Sequence, residues 1–214
     1  MNQEQLIKDL IDDGYLRTPR LIEAFRKVDR KDFVPEEIKD LAYINEALPI
    51  GYGQTISQPL TVAFMLERLQ PQPGEKILDI GTGSGWATAL LAYVVSQEVE
   101  SLKFKVKNLG KVISIETIAE LHQLAKKNLA KFKDLNIELI LGDGADGYQP
   151  EAPYDKIISG AAAAEVPVAW KQQLKIGGRL LTPLRTNVLL QIDKIAEDKF
   201  EEKEYPGFVF VPLV

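Results

Sequence analysis

The sequence predicts an α/β protein with a doubly wound parallel sheet, an N-terminal helical segment and an antiparallel hairpin at one sheet edge. From Lys76 onward, short apolar runs alternate with stretches of helical periodicity. The first of these runs leads directly into a glycine-rich turn, Gly81 to Gly85. Before position 70, apolar residues recur mainly at helical spacing. Strands that alternate with helices of this length form a parallel sheet covered on both faces.

The first 70 residues predict helices around an irregular stretch. Leu6, Ile7 and Leu10 share one helical face, and Gly14 can end that helix. Thr18-Pro19 is a typical helix start, and a third helix is predicted over Leu60–Leu69. Residues 42–59 between them have no clear period, although they are apolar enough to be ordered. We expect one domain, residues 1–214, with a helical segment over 1–70 and the sheet and C-terminal strands over 71–214.

The rest of the chain supplies the sheet. The predicted strands are Lys76–Ile80, Val112–Glu116, Ile137–Leu141, Lys156–Ser159 and Arg179–Pro183, and the predicted helices are Ser84–Val95, Ile118–Phe132 and Pro167–Leu174. Gly177-Gly178 is expected to turn the last helix into its strand. Two further apolar runs, Val188–Ile195 and Gly207–Leu213, predict the edge hairpin, with the charged tract Glu197–Glu204 between them. Leu102–Lys107 alternates apolar residues with lysine, which is typical of a protected edge strand, and a small basic contact surface is the alternative.

Composition excludes several function classes. The chain has 214 residues, 45% of them hydrophobic, and a net charge of -5, which argues against a non-specific nucleic-acid binder. It contains no cysteine and one histidine, His122, so we expect neither a metal site nor a Ser-His-Asp arrangement. Charges interrupt the N-terminus, and no apolar run reaches the ~20 residues of a membrane span. We therefore expect a cytoplasmic monomer with no membrane or nucleic-acid partner.

A ligand site is expected at the carboxyl ends of the parallel strands, beside the switch point of the sheet. The candidate ligand-binding residues there are Asp79, Gly81, Thr82, Gly83, Ser84, Gly85, Glu116, Thr117, Asp143 and Gly144. A carboxylate placed like Glu116 suits ribose hydroxyls, and a Gly-Asp-Gly turn at Asp143 suits an adenine amino group. Asp79 would either approach a positive group of the ligand or hold the loop amides. Solvated loop acids and a ligand-free turn are the alternatives.

The glycine spacing favours S-adenosylmethionine over a dinucleotide. A dinucleotide fingerprint requires Gly-x-Gly-x-x-Gly, whereas the third glycine here, Gly85, comes one position early. Acids surround the loop and no lysine or arginine lies within it. A ligand that carries a sulfonium and no phosphate fits this environment. A nicotinamide dinucleotide remains the alternative.

Four separated stretches together resemble the protein-L-isoaspartate (D-aspartate) O-methyltransferase family. They are Leu48-Pro-Ile-Gly-Tyr-Gly-Gln-Thr-Ile-Ser-Gln-Pro59, Leu78-Asp-Ile-Gly-Thr-Gly-Ser-Gly85, Gly142-Asp-Gly-Ala-Asp-Gly-Tyr148 with Ala152-Pro-Tyr-Asp155 and Ala161-Ala-Ala163, and Phe210-Val-Pro-Leu213. The second stretch is common to class I methyltransferases, whereas the first is far more specific. The resemblance extends from about Leu6 to Leu213.

The resemblance implies a Rossmann-like class I S-adenosylmethionine-dependent methyltransferase that repairs proteins. Such an enzyme methylates the α-carboxylate of L-isoaspartyl residues, releases S-adenosyl-L-homocysteine, and leaves an ester that collapses to a succinimide. By resemblance Ser57 is catalytic. The implied substrate-binding residues are Gln54, Thr55, Ile56, Ser57, Phe208, Val209 and Phe210. The Ser57 hydroxyl could orient the carboxylate, cap the following helix, or do both.

Some positions depart from the family pattern on the substrate side. Asn45 and Ala47 replace the usual Asp and Pro, Ala164 replaces a Pro, and Arg185 lies where a glycine-containing loop is usual. Residues 96–110 form a longer link than the family has. A class I methyltransferase with another acceptor and a non-catalytic S-adenosylmethionine- or peptide-binding homologue are therefore the alternatives.

Overall fold

A seven-stranded, mostly parallel sheet is the centre of the fold. The computed structural model describes residues 1–97 and 110–213, and the strand predicted over Leu102–Lys107 lies outside these residues. The described helices are α1 (Gln3–Asp12), α2 (Pro19–Lys27), α3 (Pro59–Leu69), α4 (Trp86–Val95), α5 (Ala119–Leu129) and α6 (Val168–Gln173). The described strands are β1 (Leu48–Gly51), β2 (Gln54–Ile56), β3 (Lys76–Ile80), β4 (Lys111–Glu116), β5 (Ile137–Leu141), β6 (Tyr154–Ser159), β7 (Leu174–Leu184), β8 (Val188–Ala196) and β9 (Lys199–Pro206). None of these helices is long and apolar enough to cross a membrane.

The strand order is β5-β4-β3-β6-β7-β8-β9, and β3 to β7 pair in parallel. Chain order therefore reverses between β3 and β6, which is the switch point expected to carry the ligand. The predicted doubly wound fold is confirmed. Alternation along β3 explains the two cores, because Ile77 belongs to the cluster that contains the buried residues of α1 to α5, while Leu78 and Ile80 belong to the cluster that contains Trp170 of α6.

The edge hairpin is also confirmed, but its second strand was predicted wrongly. β8 pairs antiparallel with β9, and not with the predicted strand Gly207–Leu213. Most of β9 comes from the charged tract Glu197–Glu204, which was expected to be the turn. Because β9 is the sheet edge and its side chains are mostly exposed, it needs no apolar face. Gly207, with a φ of +95°, ends the strand. Gly177 and Gly178 were likewise misplaced, since they lie inside β7 at an irregularity in its pairing with β6.

The stretch expected to be irregular contains a two-stranded hairpin. β1 pairs antiparallel with β2, with Leu48 opposite Ile56, and the tip is Gly51-Tyr52-Gly53. The Ile50 side chain reaches the glycine turn, since its Cδ1 lies 3.5 Å from where a Cβ on Gly83 would be. The hairpin therefore covers the turn.

A carboxylate from α3 secures the start of α2. Glu67 Oε1 accepts from the backbone N–H groups of Arg17 and Thr18, both at 2.7 Å, and Oε2 accepts from the Thr18 hydroxyl at 2.8 Å. Thr18 is the N-cap of α2 as predicted, but its hydroxyl bonds Glu67 and makes no cap bond of its own. An acid at this position also complements the positive end of the helix dipole.

Replacement of Glu67 by alanine is expected to lower the free energy of unfolding by about 1–2 kcal/mol, because the Arg17 and Thr18 donors lose their acceptor. Urea denaturation monitored by circular dichroism measures this change. Glu37→Ala is the matched control, because Glu37 is exposed and its loss changes net charge equally. Equal stabilities for the two variants would contradict the capping role.

Candidate active site

The glycine turn between β3 and α4 forms the floor of the site. Gly81, Gly83 and Gly85 have φ values of +87°, +56° and +95°, a region that residues with a Cβ rarely adopt. The Gly83 N–H donates to Glu116 Oε2 at 2.8 Å. The turn is therefore held in shape by the acid at the end of β4.

Glu116 has both carboxylate oxygens on backbone donors. Besides Gly83, its Oε1 accepts from the Ile118 N–H at 3.0 Å, and the side chain is 5% exposed where it faces a cavity. An ionised carboxylate offers about four acceptor positions, so two remain for a ligand. This arrangement suits a pair of vicinal hydroxyl groups.

Asp79 lies deeper, in β3, where it is 2% exposed and two hydroxyl groups donate to one of its oxygens. Thr88 donates to its Oδ2 at 2.6 Å and Ser114 at 2.9 Å, the latter because the parallel register sets Ser114 beside Asp79. Burial raises the pKa of Asp79 to about 6, and the nearby Glu116 charge adds to the rise. Of the two roles predicted for Asp79, holding the loop amides falls to Glu116. That Asp79 faces a positive group of the ligand stays a prediction.

Three adjoining cavities open along these residues. We call them the glycine-loop cavity, the Glu116 cavity and the Ser57 groove. The glycine-loop cavity is lined by Thr55, Ile56, Ser57, Asp79, Gly81, Thr82, Gly83, Ser84, Trp86, Gly160 and Phe210, among others. The Glu116 cavity is lined by Gln54, Thr55, Gly81, Gly83, Ile115, Glu116, Thr117, Ile118, Leu121, Gly144, Gly160 and Val211–Leu213, among others. The Ser57 groove is lined by Glu46, Ala47, Thr55, Ser57, Gln58, Thr61, Gly160, Val209, Phe210 and Val211.

These cavities bring together most residues that the sequence singled out. Thr55 and Gly160 border all three cavities, and Ser57 and Phe210 border two. Three predicted residues, Asp143, Phe208 and Gly85, line none of these cavities. Asp143 is exposed and its carboxylate accepts from the Ala145 N–H at 2.8 Å, while Phe208 packs on Phe64 with ring centroids 4.9 Å apart. Gly85 serves as the N-cap of α4.

Ser57 does not cap the helix that follows it. The N-cap of α3 is Gln58, and Asn45 Oδ1 accepts from the Leu60 N–H at 2.9 Å. Among the described residues nothing hydrogen-bonds the Ser57 hydroxyl, which leaves it available in the groove. The departure at Asn45 is thereby explained, because an amide oxygen accepts this N–H as a carboxylate would.

The C-terminal segment, residues 207–213, forms one wall of the groove. Ala162 donates to Val211 O at 2.7 Å and accepts from the Leu213 N–H at 2.9 Å. Arg185 Nη2 donates to Leu213 O at 3.0 Å, so this unusual residue anchors the segment. Within the described part of the chain, the N–H groups of Val209 and Phe210 have no hydrogen-bond partner.

Sequence reasoning did not single out Trp86, which lines the glycine-loop cavity, or Thr88 and Ser114, which hold Asp79. A signal was present for the last two, because Thr88 is the one threonine of α4 and Ser114 the one serine of β4, each between apolar residues.

The described residues fit an adenosyl ligand without phosphate. None of the residues that line the three cavities is a lysine or an arginine. Glu116 can accept from ribose hydroxyls, while Ile115, Ile118 and Leu121 give its cavity apolar walls for a purine. Asp79 offers a negative charge to the positively charged amino-acid end of such a ligand.

Comparison with known proteins agrees with this geometry. The family model for protein-L-isoaspartate (D-aspartate) O-methyltransferase matches residues 1–214. A protein-L-isoaspartate O-methyltransferase of Methanopyrus kandleri is 40% identical over 99% of this chain and 91% of its own length. One of Ignicoccus hospitalis is 42% identical over 99% and 97%. A candidate protein-L-isoaspartate O-methyltransferase of Plasmodium falciparum, crystallised with S-adenosyl-L-homocysteine, superposes with a TM-score of 0.86, at 26% identity over 100% of this chain and 99% of that chain.

The resemblance predicted from the four sequence stretches is thus confirmed, as is the cofactor predicted from the glycine spacing and Glu116. The departures at Asn45 and Arg185 leave the match intact over the whole chain. The chain belongs to the protein-L-isoaspartate (D-aspartate) O-methyltransferase family and is a class I methyltransferase that uses S-adenosylmethionine.

Proposed function

We propose that this enzyme methylates the α-carboxylate of L-isoaspartyl residues in damaged proteins, with Ser57 orienting the carboxylate. The observation that carries the assignment is the position of Ser57, which borders both the glycine-loop cavity and the Ser57 groove. A carboxylate placed at this junction would face the cofactor from the groove. Thr55, Ile56 and Gln54 would line the path beside it.

The methyl transfer requires little of the protein beyond alignment of the two reacting groups. S-adenosylmethionine supplies an electrophilic methyl group on a sulfonium when bound. A substrate carboxylate with a pKa of about 3.9 is already ionised at neutral pH, so no general base is needed. The chain instead has to hold a carboxylate oxygen in line with the methyl group. The groove carries no described lysine or arginine, which avoids over-stabilising the ground-state anion.

Peptide recognition is proposed to use the backbone of the C-terminal segment. The free N–H groups of Val209 and Phe210 lie on the groove wall and could pair with an extended substrate chain. Such pairing reads no side chains, which suits an enzyme that must accept damage in many sequences. Phe208 would act indirectly, by anchoring the segment on Phe64.

Methyl transfer to an isoaspartyl peptide and to its aspartyl twin tests the assignment. Label from S-adenosylmethionine should enter the isoaspartyl peptide and not the twin. Equal labelling of both peptides, or of neither, would refute the function. The specific role of Ser57 needs a variant.

Replacement of Ser57 by alanine is expected to lower kcat/KM for the isoaspartyl peptide about tenfold, because one orienting hydrogen bond is worth roughly 1.4 kcal/mol. Affinity for S-adenosyl-L-homocysteine, measured by calorimetry, should stay within about twofold, since no bond to the rest of the site is lost. Thr61→Val serves as a control, because Thr61 lines the same groove but, unlike Ser57, does not line the glycine-loop cavity. A Ser57→Ala enzyme as active as this control would exclude the orienting role.

We further propose that the chain acts as a monomer in the cytoplasm. Sedimentation as a single species near 23.9 kDa would support the first point.

A further inference from the structure

Arg30 is a buried arginine that lines none of the three cavities. It opens a short 3-10 helix, Arg30–Phe33, and is 2% exposed. No acidic side chain forms an ion pair with it among the described residues. A buried charge without a counter-ion is costly unless hydrogen bonds compensate for the lost water, so the hydrogen-bond partners of Arg30 matter.

The guanidinium group binds three backbone carbonyls from two different segments. Nη1 donates to Ala42 O at 2.7 Å, and Nη2 donates to Glu46 O at 2.9 Å and to Ser57 O at 3.1 Å. Nε is buried and has no hydrogen-bond partner in the described chain. The side chain therefore fastens the backbone of Ser57 to the segment that precedes the β1–β2 hairpin.

The other face of the same group meets the cofactor side of the site. Arg30 Cζ lies 5.3 Å from the ring centroid of Trp86, which lines the glycine-loop cavity. Trp86 is in turn fixed by an edge-on contact with Phe25 at 5.5 Å. One cation thus touches the backbone of the substrate groove and the wall of the glycine-loop cavity.

We propose that Arg30 is a positioning residue that sets Ser57 and Glu46 relative to the Trp86 wall, so that the substrate carboxylate is aligned for methyl transfer. The inference rests on the proposed role of the Ser57 groove. Burial lowers the pKa of Arg30 to about 10, which leaves it protonated at neutral pH. A lysine would keep that charge but could not reproduce a planar fork that reaches three carbonyls and stacks on a ring.

Two variants test whether the geometry of the guanidinium group or its charge matters. Arg30→Lys keeps the positive charge and loses the planar group, whereas Arg30→Met loses both. For both variants we expect kcat/KM for the isoaspartyl peptide to fall at least tenfold, at a temperature where each is fully folded. Affinity for S-adenosyl-L-homocysteine should change less than threefold, because Arg30 lines none of the three cavities and reaches the cofactor side only through Trp86. The larger share of the loss should appear in kcat, since alignment and not encounter is disturbed.

Glu67→Ala is the control for a purely structural effect. It breaks a cap between α2 and α3 and should lower the Tm while kcat/KM is kept. A wild-type kcat/KM in Arg30→Lys would overturn the inference, as would an equal activity loss in Glu67→Ala. Failure of Arg30→Met to fold leaves Arg30→Lys to decide. Inactivity of the unaltered enzyme on isoaspartyl peptide would instead refute the proposed function.

Discussion

Replacement of Glu116 by glutamine is expected to weaken binding of S-adenosyl-L-homocysteine about 100-fold, or roughly 3 kcal/mol. The carboxylate now accepts from Gly83 and Ile118 and keeps acceptor positions for the ribose. An amide of the same shape offers one oxygen only, and in either orientation its NH₂ faces the backbone N–H of Gly83 or of Ile118. A buried donor without an acceptor costs about 1–3 kcal/mol, and the glycine turn loses a tether as well.

Titration calorimetry measures the affinity, and Glu120→Gln is the matched control. Glu120 is exposed on the following helix and gives the same change in net charge. We expect the control to bind within about twofold of the unaltered enzyme. Equal weakening in both variants would show that long-range charge, and not the contacts of Glu116, sets the affinity. Unchanged binding by Glu116→Gln would remove Glu116 from the site.

The cofactor side was predictable because its signals are local in sequence. Asp79 and the glycines lie within one strand and turn, and Glu116 ends the next strand along the chain. Strand order then brings them together without further information. Their supporting hydroxyls were missed, since Thr88 and Ser114 come from different elements and meet Asp79 only through strand register and helix packing.

The substrate side could not be derived in this way. Arg30 belongs to a charged N-terminal stretch, and nothing in its spacing shows that its side chain turns inward to three carbonyls. The prediction of the second strand of the edge hairpin failed for a related reason. β9 is mostly exposed, so its charged residues lack the apolar alternation that reveals a half-buried strand. Where packing does not select apolar residues, periodicity carries no signal.

Replacement of Asp79 by asparagine is expected to stabilise the cofactor-free enzyme while impairing cofactor binding. The unfolded chain loses the Asp79 proton near pH 4, whereas burial holds the folded-state pKa at about 6. The folded state thus binds more protons in this window, and the contribution of Asp79 to the free energy of unfolding falls as pH rises from 4 to 6. The loss is roughly 3 kcal/mol and stays constant above pH 6. Asp79→Asn should not show this loss of stability, because asparagine does not ionise.

Cofactor binding should show the opposite pH dependence. A positively charged amino group beside Asp79 favours the carboxylate, so binding releases a proton wherever the free enzyme is protonated. Affinity for S-adenosyl-L-homocysteine should therefore fall about tenfold between pH 7 and pH 5. In Asp79→Asn it should be lower at pH 7 and nearly independent of pH.

Two measurements on the unaltered enzyme and on Asp79→Asn test this role of Asp79. Urea denaturation at pH 4, 5, 6 and 7.5 should show that the free energy of unfolding of Asp79→Asn exceeds that of the unaltered enzyme by an amount that increases with pH. Calorimetry in buffers of different ionisation enthalpy should detect proton release near pH 5.5 for the unaltered enzyme only. A parallel pH dependence of affinity in both proteins would assign the proton to another group. If both results hold, the enzyme keeps a destabilising buried charge because its ligand requires it.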